Sequence, residues 1–203
     1  MPPPTAPSFC KLPDSQVSTP SLTRITNVAV YCASSDGDDA VYRAAATELG
    51  RGLAVRGIGV VNGGGRVGLM QAVSDAALGA GGRVVGVIPT HLMELEMAHT
   101  ELSELHVTDT MHTRKAMMAA RADAFVVLPG GYGTLEELFE VLAWQSLKIH
   151  RKPVVLLNVN GFYDTLLAFL DECVAKGMLK ARFRDAAQVA TSVDEALALL
   201  GIV

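Results

Sequence analysis

Two glycine-rich turns hold the residues of this chain with the clearest capacity for chemistry. Residues 62–68 read N-G-G-G-R-V-G and residues 129–134 read P-G-G-Y-G-T, and each turn leads from an apolar run into an Ala- and Leu-rich segment. A glycine-rich turn between a strand and a helix lets backbone N–H groups approach an anion, and the helix N-terminus adds a partial positive charge. One such turn is compatible with a simple tight turn, but the pair predicts a phosphate site.

Neither turn matches the motifs of the common nucleotide-binding enzymes. The form G-x-x-x-x-G-K-[ST], whose lysine binds phosphates, is absent from both turns. The form G-x-G-x-x-G does not follow the first predicted strand. ATP hydrolysis and dinucleotide binding are therefore the weaker interpretations of the two turns.

Thr134 and Glu137 allow two interpretations. The sequence T-L-E-E fits the [ST]-x-x-E capping box, in which the threonine and the glutamate each accept a hydrogen bond from a backbone N–H at the helix start. A carboxylate in the first helical turn beside a phosphate loop would also face a bound sugar. Spacing alone does not decide between the two.

Arg114 is also open to two interpretations. It lies in H-T-R-K at the start of a predicted helix over residues 111–121. Most helical arginines belong to a solvated basic stripe. However, cations at a helix start oppose the helix macrodipole, which suggests that a bound anion compensates them.

The overall composition limits the classes to which the protein can belong. The chain has 203 residues, a formal net charge of −4 and 50% hydrophobic residues, which suits one compact domain. No apolar run approaches the ~20 residues of a membrane-spanning helix, and no basic patch indicates nucleic acid as the main partner. We therefore expect a soluble, cytoplasmic protein that binds neither membranes nor nucleic acids.

The spacing of cysteines and histidines predicts no metal site. Cys10, Cys32 and Cys173 are far apart and form no C-x-x-C pair, so free thiols in a reducing compartment are expected. The five histidines show no H-E-x-x-H spacing. No serine lies in a G-x-S-x-G turn, which argues against a Ser-His-Asp hydrolase.

Short β-branched runs alternate with longer helical segments from residue 27 onward. Strands are predicted over residues 27–32, 58–61, 83–88, 124–128, 153–158 and, more weakly, 188–191, and helices over 40–56, 69–79, 111–121, 134–147, 162–176 and 193–200. Continuous apolar strands are typical of a sheet covered on both faces. The alternation predicts an α/β fold, a Rossmann-like doubly wound parallel sheet, with ligands at the carboxyl ends of its strands.

The beginning of the chain differs in composition from the rest. Residues 1–21 are rich in Pro, Ser and Thr and lack the apolar stretch of a secretory signal. We expect residues 1–23 to form a disordered N-terminal tail. Residues 24–203 are expected to form a single nucleotide-binding domain.

Several segments together resemble one known family. The sequence P-G-G-Y-G-T-L-E-E at residues 129–137, with M-H-T-R-K at residues 111–115, resembles the LONELY GUY family of cytokinin riboside 5′-monophosphate phosphoribohydrolases. Residues 63–70, 87–89 and 104–107 are similar to further family segments in the same order. The likeness extends from about residue 27 to residue 193, with departures at Ala33 and Gln71, where family members commonly have Gly.

The resemblance implies a hydrolase of cytokinin biosynthesis. Its substrate would be a cytokinin riboside 5′-monophosphate, with AMP as a further one, and it would use no metal or redox cofactor. The resemblance implies Arg114 and Glu137 as the catalytic pair, which favours the catalytic interpretation of both. The substrate-binding positions that it implies are Ser34, Ser35, Gly64, Gly65, Met111, Lys115, Gly130, Gly131, Tyr132, Gly133 and Thr134. It also implies a homodimer or an assembly of dimers.

Other functions are compatible with the fold alone. One is a non-catalytic protein that binds a nucleotide or a phosphorylated cofactor, and another is a scaffold for protein interactions, which the paired turns disfavour. Members of the family have also been labelled lysine decarboxylases. That chemistry needs a lysine that forms a Schiff base with pyridoxal phosphate, and nothing around the six lysines indicates one.

Overall fold

The secondary structure alternates between strands and helices along the chain. A computed structural model describes residues 24–93 and 95–202, and the predicted N-terminal tail lies outside them. The strands are β1 (Asn27–Tyr31), β2 (Gly59–Asn62), β3 (Val84–Pro89), β4 (Glu104–Thr108), β5 (Ala124–Val127), β6 (Val154–Leu157) and β7 (Ala187–Ala190). The helices are α1 (Ala40–Val55), α2 (Gly68–Gly79), α3 (Met111–Arg121), α4 (Tyr132–Ser146), α5 (Asp164–Ala175), α6 (Ala181–Arg184) and α7 (Val193–Leu199).

The strands form one parallel sheet in the order β4-β3-β2-β1-β5-β6-β7. The chain adds strands outward from β1 to β4 on one side and from β5 to β7 on the other. The strand order therefore reverses between β1 and β5. Ligands of doubly wound sheets bind at such a reversal, beyond the carboxyl ends of the strands. The predicted doubly wound parallel α/β fold is confirmed.

Both faces of the sheet are covered by helices, which explains the continuous apolar strands. Helices α1, α2 and α7 pack on one face through side chains such as Leu49, Val73 and Leu197. Helices α3, α4 and α5 cover the other face, where Met118 and Leu138 are buried. Burying a large aliphatic side chain contributes about 1.5–3 kcal/mol, so these two layers hold the strand ends in place.

The ends of the predicted elements lie within two residues of those in the structure. Strand β4 and the short helix α6 were not predicted. Strand β4 has the sequence E-L-H-V-T, and it forms the edge of the sheet with mostly half-buried side chains. A polar edge strand of this kind lacks the apolar run by which the central strands are identified. Among the helices of the described residues, none is long and apolar enough to cross a membrane.

Candidate active site

A cleft of about 300 Å³ opens where the strand order reverses. Its walls come from the loop after β1, the turn after β2, helix α3 and the start of α4. The predicted site residues that line it are Ser34, Ser35, Met111, Arg114, Gly131, Tyr132, Gly133, Thr134 and Glu137. A larger groove of about 550 Å³ along α1 is shallower and contains none of the predicted site residues. The chemistry-bearing side chains are thus gathered in the smaller, more enclosed cleft.

The turn that follows β5 leaves the start of helix α4 open to the cleft. Gly131 is the N-cap residue of α4, and no side chain caps the helix there. The first N–H groups of an α-helix have no partner within the helix, and they carry its partial positive charge. Gly131, Tyr132 and Gly133 are exposed at this point. The geometry fits the predicted phosphate loop.

Gly130 does not line the cleft but shapes the loop from behind. A β-carbon at Gly130 would lie 2.1 Å from the Thr134 hydroxyl oxygen, so only glycine fits beneath that side chain. The N–H of Ala33 donates a hydrogen bond of 3.1 Å to the carbonyl of Pro129. This bond joins the loop after β1 to the phosphate loop, and Ser34, Ser35 and Gly131 of these two loops all line the cleft.

Thr134 and Glu137 do not form a capping box. Helix α4 begins at Tyr132, two residues before the predicted start, because Gly131 takes the N-cap position. Thr134 is therefore inside the first turn and buried, and Glu137 lies in the second turn. The capping interpretation is wrong for this pair, and the Glu137 side chain faces the cleft instead.

Arg114 is buried in a socket and does not belong to a solvated stripe. Only 4% of the residue is exposed. Its Nε donates to the carbonyl of Val87 at 3.0 Å, and its Nη2 donates to the carbonyl of Gly63 at 3.1 Å and to Oε2 of Glu96 at 3.2 Å. Nη1 has a weaker contact, 3.7 Å from the Met111 sulfur. The socket thus fixes the Nε and Nη2 edge of the guanidinium and leaves Nη1 with only the sulfur contact.

The first glycine turn builds this socket, and the N–H groups of Gly64 and Gly65 have partners within the protein. The N–H of Gly64 donates to the Asn62 side chain at 3.0 Å, and that of Gly65 contacts the Met70 sulfur at 3.2 Å. Because these N–H groups already have partners, they are not free to bind a phosphate. Gly64 and Gly65 lie outside the cleft lining, so the geometry gives them no direct substrate contact.

Lys115 points away from the cleft although it follows Arg114. Its Nζ donates to the carboxylates of Glu136 and Glu140 on α4, the latter at 3.0 Å. Burial opposes the charged form, but these hydrogen bonds dominate and raise the pKa of Lys115. The residue therefore ties α3 to α4, and its predicted contact with substrate has no counterpart in the cleft lining.

Glu137 lies in the cleft with strongly altered acidity. Burial raises the pKa of Glu137 to about 7; Arg114 lowers it, whereas Glu136 and Glu96 raise it further. A carboxyl group with this pKa exists in both protonation states near neutral pH. Altered acidity in a cleft beside an opposite charge is typical of a catalytic group.

Two features of the cleft were missed by sequence analysis. Glu96 lines the cleft and pairs with Arg114, yet it lies in an irregular segment with no motif to identify it. Met70, Leu92, Met111 and Met118 give the cleft an apolar wall. Of these four, only Met111 was predicted as a site residue; Met70 and Met118 lie in α2 and α3 and were indistinguishable from ordinary core residues.

The Cys32 thiol is held in inert surroundings. Cys32 is buried at the end of β1, and burial raises the pKa of its thiol far above the ordinary range, so a thiolate nucleophile is disfavoured. In residues 24–93 and 95–202, no three His, Cys, Asp or Glu side chains are grouped to hold a metal ion.

Comparison with known proteins gives matches over most of the chain. A family model described as possible lysine decarboxylase matches residues 70–200. The probable cytokinin riboside 5′-monophosphate phosphoribohydrolase LOGL5 of Oryza sativa subsp. japonica is 49% identical over 180 residues, which are 89% of this chain and 73% of that protein. Cytokinin riboside 5′-monophosphate phosphoribohydrolase LOG of the same plant is 52% identical over 77% of this chain and 65% of its own length.

The solved structures that resemble this chain share its fold at lower identity. The molybdenum cofactor binding protein from Rippkaea orientalis superimposes with a TM-score of 0.67 and 22% identity, over 88% of this chain and 97% of that one. At this identity the likeness establishes the fold alone. The plant relatives are about half identical to this chain over 77% to 89% of its length.

Proposed function

The chain belongs to the LONELY GUY family of cytokinin riboside 5′-monophosphate phosphoribohydrolases, and we propose that it hydrolyses the N-glycosidic bond of these nucleotides and of AMP. The products are the free base and ribose 5-phosphate. One observation carries the proposal: an uncapped helix start, a buried arginine and a carboxyl group of pKa about 7 meet in a single cleft.

The 5′-phosphate binds at the start of helix α4. The free N–H groups of Gly131, Tyr132, Gly133 and the helix turn that follows offer hydrogen bonds to phosphate oxygens. The Thr134 hydroxyl lies beneath this turn, against Gly130. Anchoring the phosphate fixes the ribose relative to Glu137, which is one turn farther along the same helix.

Glu137 acts on the anomeric carbon of the ribose. Cleavage of an N-glycosidic bond passes through an oxocarbenium-like state, as in glycoside hydrolysis. The ionised carboxylate stabilises that cation or takes the proton of the attacking water. At pH 7 a pKa of about 7 leaves about half of the carboxyl groups ionised.

Arg114 presents one free edge to the bound nucleotide. Its Nε and Nη2 are committed to Val87, Gly63 and Glu96, whereas Nη1 has only a weak sulfur contact. The guanidinium is therefore held in one orientation before the nucleotide binds. It loses little side-chain conformational entropy when it binds the ribose phosphate or the departing base.

The apolar wall of the cleft is suited to a substituted base. Met70, Met111 and Met118 provide flexible, polarizable side chains that adapt to an apolar group, and Leu92 adds an aliphatic one. A prenyl-type substituent on adenine would bury apolar area there that plain AMP does not offer. We expect the substituted nucleotide to be preferred over AMP.

The protein is expected to act as a cytoplasmic homodimer or assembly of dimers. Helix α4 and the loop after it expose Phe139, Leu147 and Ile149, an apolar surface that association would cover. The net charge of −4 gives no electrostatic attraction to nucleic acid. Size-exclusion chromatography with light scattering measures the oligomeric state.

Decarboxylation of lysine does not fit this cleft. Schiff-base chemistry with pyridoxal phosphate needs a lysine at the site. Among the described residues, no lysine lines the cleft, and Lys115 is engaged by two glutamates.

The alternative function is a protein that binds a nucleotide or a phosphorylated cofactor without cleaving it. The likeness to a molybdenum cofactor binding protein is a likeness of fold. A binding protein has no need for a carboxyl group with a pKa shifted to about 7 beside the phosphate site. Incubation with AMP, followed by assay of free adenine and ribose 5-phosphate, tests the proposal, because a binding protein releases neither.

A further inference from the structure

A buried histidine fastens the segment that carries Glu96. His99 is completely buried, and its Nε2 lies 2.9 Å from Oδ1 of Asp75 on helix α2. Its backbone N–H donates to the carbonyl of Gly64 at 2.8 Å. We propose that His99 and Asp75 form a clamp that positions Glu96, and through it Arg114, for catalysis. This inference rests on the proposed function.

The segment from Glu96 to His99 lies along the first glycine turn. The N–H of Arg66 donates to the carbonyls of Glu96 and Met97, at 3.0 and 2.9 Å. Gly65 and Ala98 form an antiparallel bridge. A β-carbon at Gly65 would come within 3.0 Å of the Glu96 β-carbon. The clamp therefore holds the segment against the turn that forms the Arg114 socket.

The backbone of the segment requires external support. Met97 has a φ of 45°, in the left-handed region that residues other than glycine rarely adopt. Such a conformation costs free energy and persists only where surrounding contacts hold it. His99 lies two residues farther along and contacts Asp75 on helix α2. The hydrogen bonds between the segment and the first glycine turn do not connect it to a helix.

The clamp acts on the reaction through one charged contact. Glu96 reaches Arg114 with 3.2 Å between Oε2 and Nη2, and both side chains line the cleft beside Glu137. Asp75 and His99 do not line the cleft, so they are positioning residues rather than catalytic ones. If the segment moved, Arg114 would lose its carboxylate partner, and the edge it presents to the nucleotide would no longer be fixed.

The hydrogen bond of the clamp has a defined direction. Nδ1 of His99 is buried and has no hydrogen-bond partner among the residues that the structure describes. A proton on Nδ1 would be an unsatisfied buried donor, which is costly. The proton therefore lies on Nε2, which donates to Asp75. A neutral acceptor at residue 75 should serve as well as the carboxylate.

The test compares three variants on the intact protein, with AMP as the substrate. Asp75→Ala removes the acceptor of the His99 hydrogen bond, whereas Asp75→Asn keeps an amide oxygen in its place. Gln71→Ala removes only the other hydrogen bond to Asp75, which Nε2 of Gln71 donates at 3.1 Å. We expect Asp75→Ala to lower kcat by about 10- to 100-fold, because small displacements of catalytic groups have effects of this size. KM should change less than kcat does, because the N–H groups at the start of α4 that bind the phosphate do not contact the clamp.

Rescue by the conservative variant separates positioning from general stability. Asp75→Asn and Gln71→Ala should retain kcat within ~3-fold of the wild type. Unchanged kcat in Asp75→Ala, an equal loss in Gln71→Ala, or no rescue by Asp75→Asn overturns the clamp while the proposed function stands. A wild-type protein that releases no adenine from AMP overturns the proposed function and the clamp with it.

Discussion

Nη2 of Arg114 occupies the place where a side chain on Gly63 would have to lie. A β-carbon at Gly63 would be 2.0 Å from Nη2, a separation that no pair of unbonded atoms tolerates. The carbonyl of the same residue accepts the hydrogen bond of Nη2 at 3.1 Å. Gly63 therefore both admits the guanidinium and holds it.

Gly63→Ala should displace Arg114 without unfolding the protein. The added methyl group forces the guanidinium out of its socket, and we expect kcat/KM for AMP to fall by about 100-fold. Overpacking at this buried position should cost about 1–3 kcal/mol of stability. The matched control is Gly79→Ala at the end of α2, where a β-carbon meets nothing within 4 Å. Full activity in Gly63→Ala would show that Arg114 does not need its socket.

The activity should depend on pH through Glu137. If the ionised carboxylate is the active form, kcat/KM for AMP rises with pH and levels off above about 7, the pKa of Glu137. The profile is measured from pH 5 to 9. An activity that increases as pH falls below 7 would assign the protonated acid as the working form.

The same pKa shift predicts an effect on stability. Burial raises the pKa of Glu137 above that of an unfolded chain, so its contribution to the free energy of unfolding is present at low pH and is lost as pH rises through about 7. Glu137→Gln carries no charge at any pH. We expect this variant to melt at or above the wild-type temperature at pH 8, and the difference to shrink as pH falls from about 7 toward 4.5, the ordinary pKa of a glutamate. A lower melting temperature of the variant at pH 8 would contradict the burial of a charged carboxyl group.

The dependence on phosphate tests the role of the loop at Gly131. AMP should be cleaved with a kcat/KM at least ~10²-fold higher than that of adenosine, because phosphate binding orients the ribose for the chemical step. Steady-state release of adenine from both compounds measures the ratio. Comparable values would mean that the start of α4 does not anchor the substrate.

Much of the fold could be predicted from the sequence because buried parallel strands leave continuous apolar runs. The strands from β1 to β3 and from β5 to β7 were found in this way. Strand β4 was missed because an edge strand does not need apolar residues on both faces. The start of α4 was misplaced because a threonine with a glutamate three residues later imitates a cap, whereas Gly131 takes that position.

The residues of the candidate site that belong to recognisable sequence motifs could be predicted. The P-G-G-Y-G-T turn and Arg114 meet in the cleft because parallel strands end at one edge of the sheet. Glu96, His99 and Asp75 come together only through tertiary contacts across separate elements. The opposite roles of the two glycine turns were also hidden, since the partners of their N–H groups depend on which side chains fold against them.

The central claim is that the Glu137 carboxylate drives cleavage of the N-glycosidic bond. The measurement is the turnover of AMP by Glu137→Gln, with Glu136→Gln as the matched control on the preceding residue. Glu136 is exposed, and Lys115 pairs with both Glu136 and Glu140. In the control variant, Lys115 keeps its ion pair with Glu140. We expect Glu137→Gln to fold normally and lose about 10²- to 10⁴-fold in kcat, whereas Glu136→Gln keeps most of its activity. Near wild-type release of adenine and ribose 5-phosphate by Glu137→Gln would contradict the claim and place the reacting group elsewhere in the cleft.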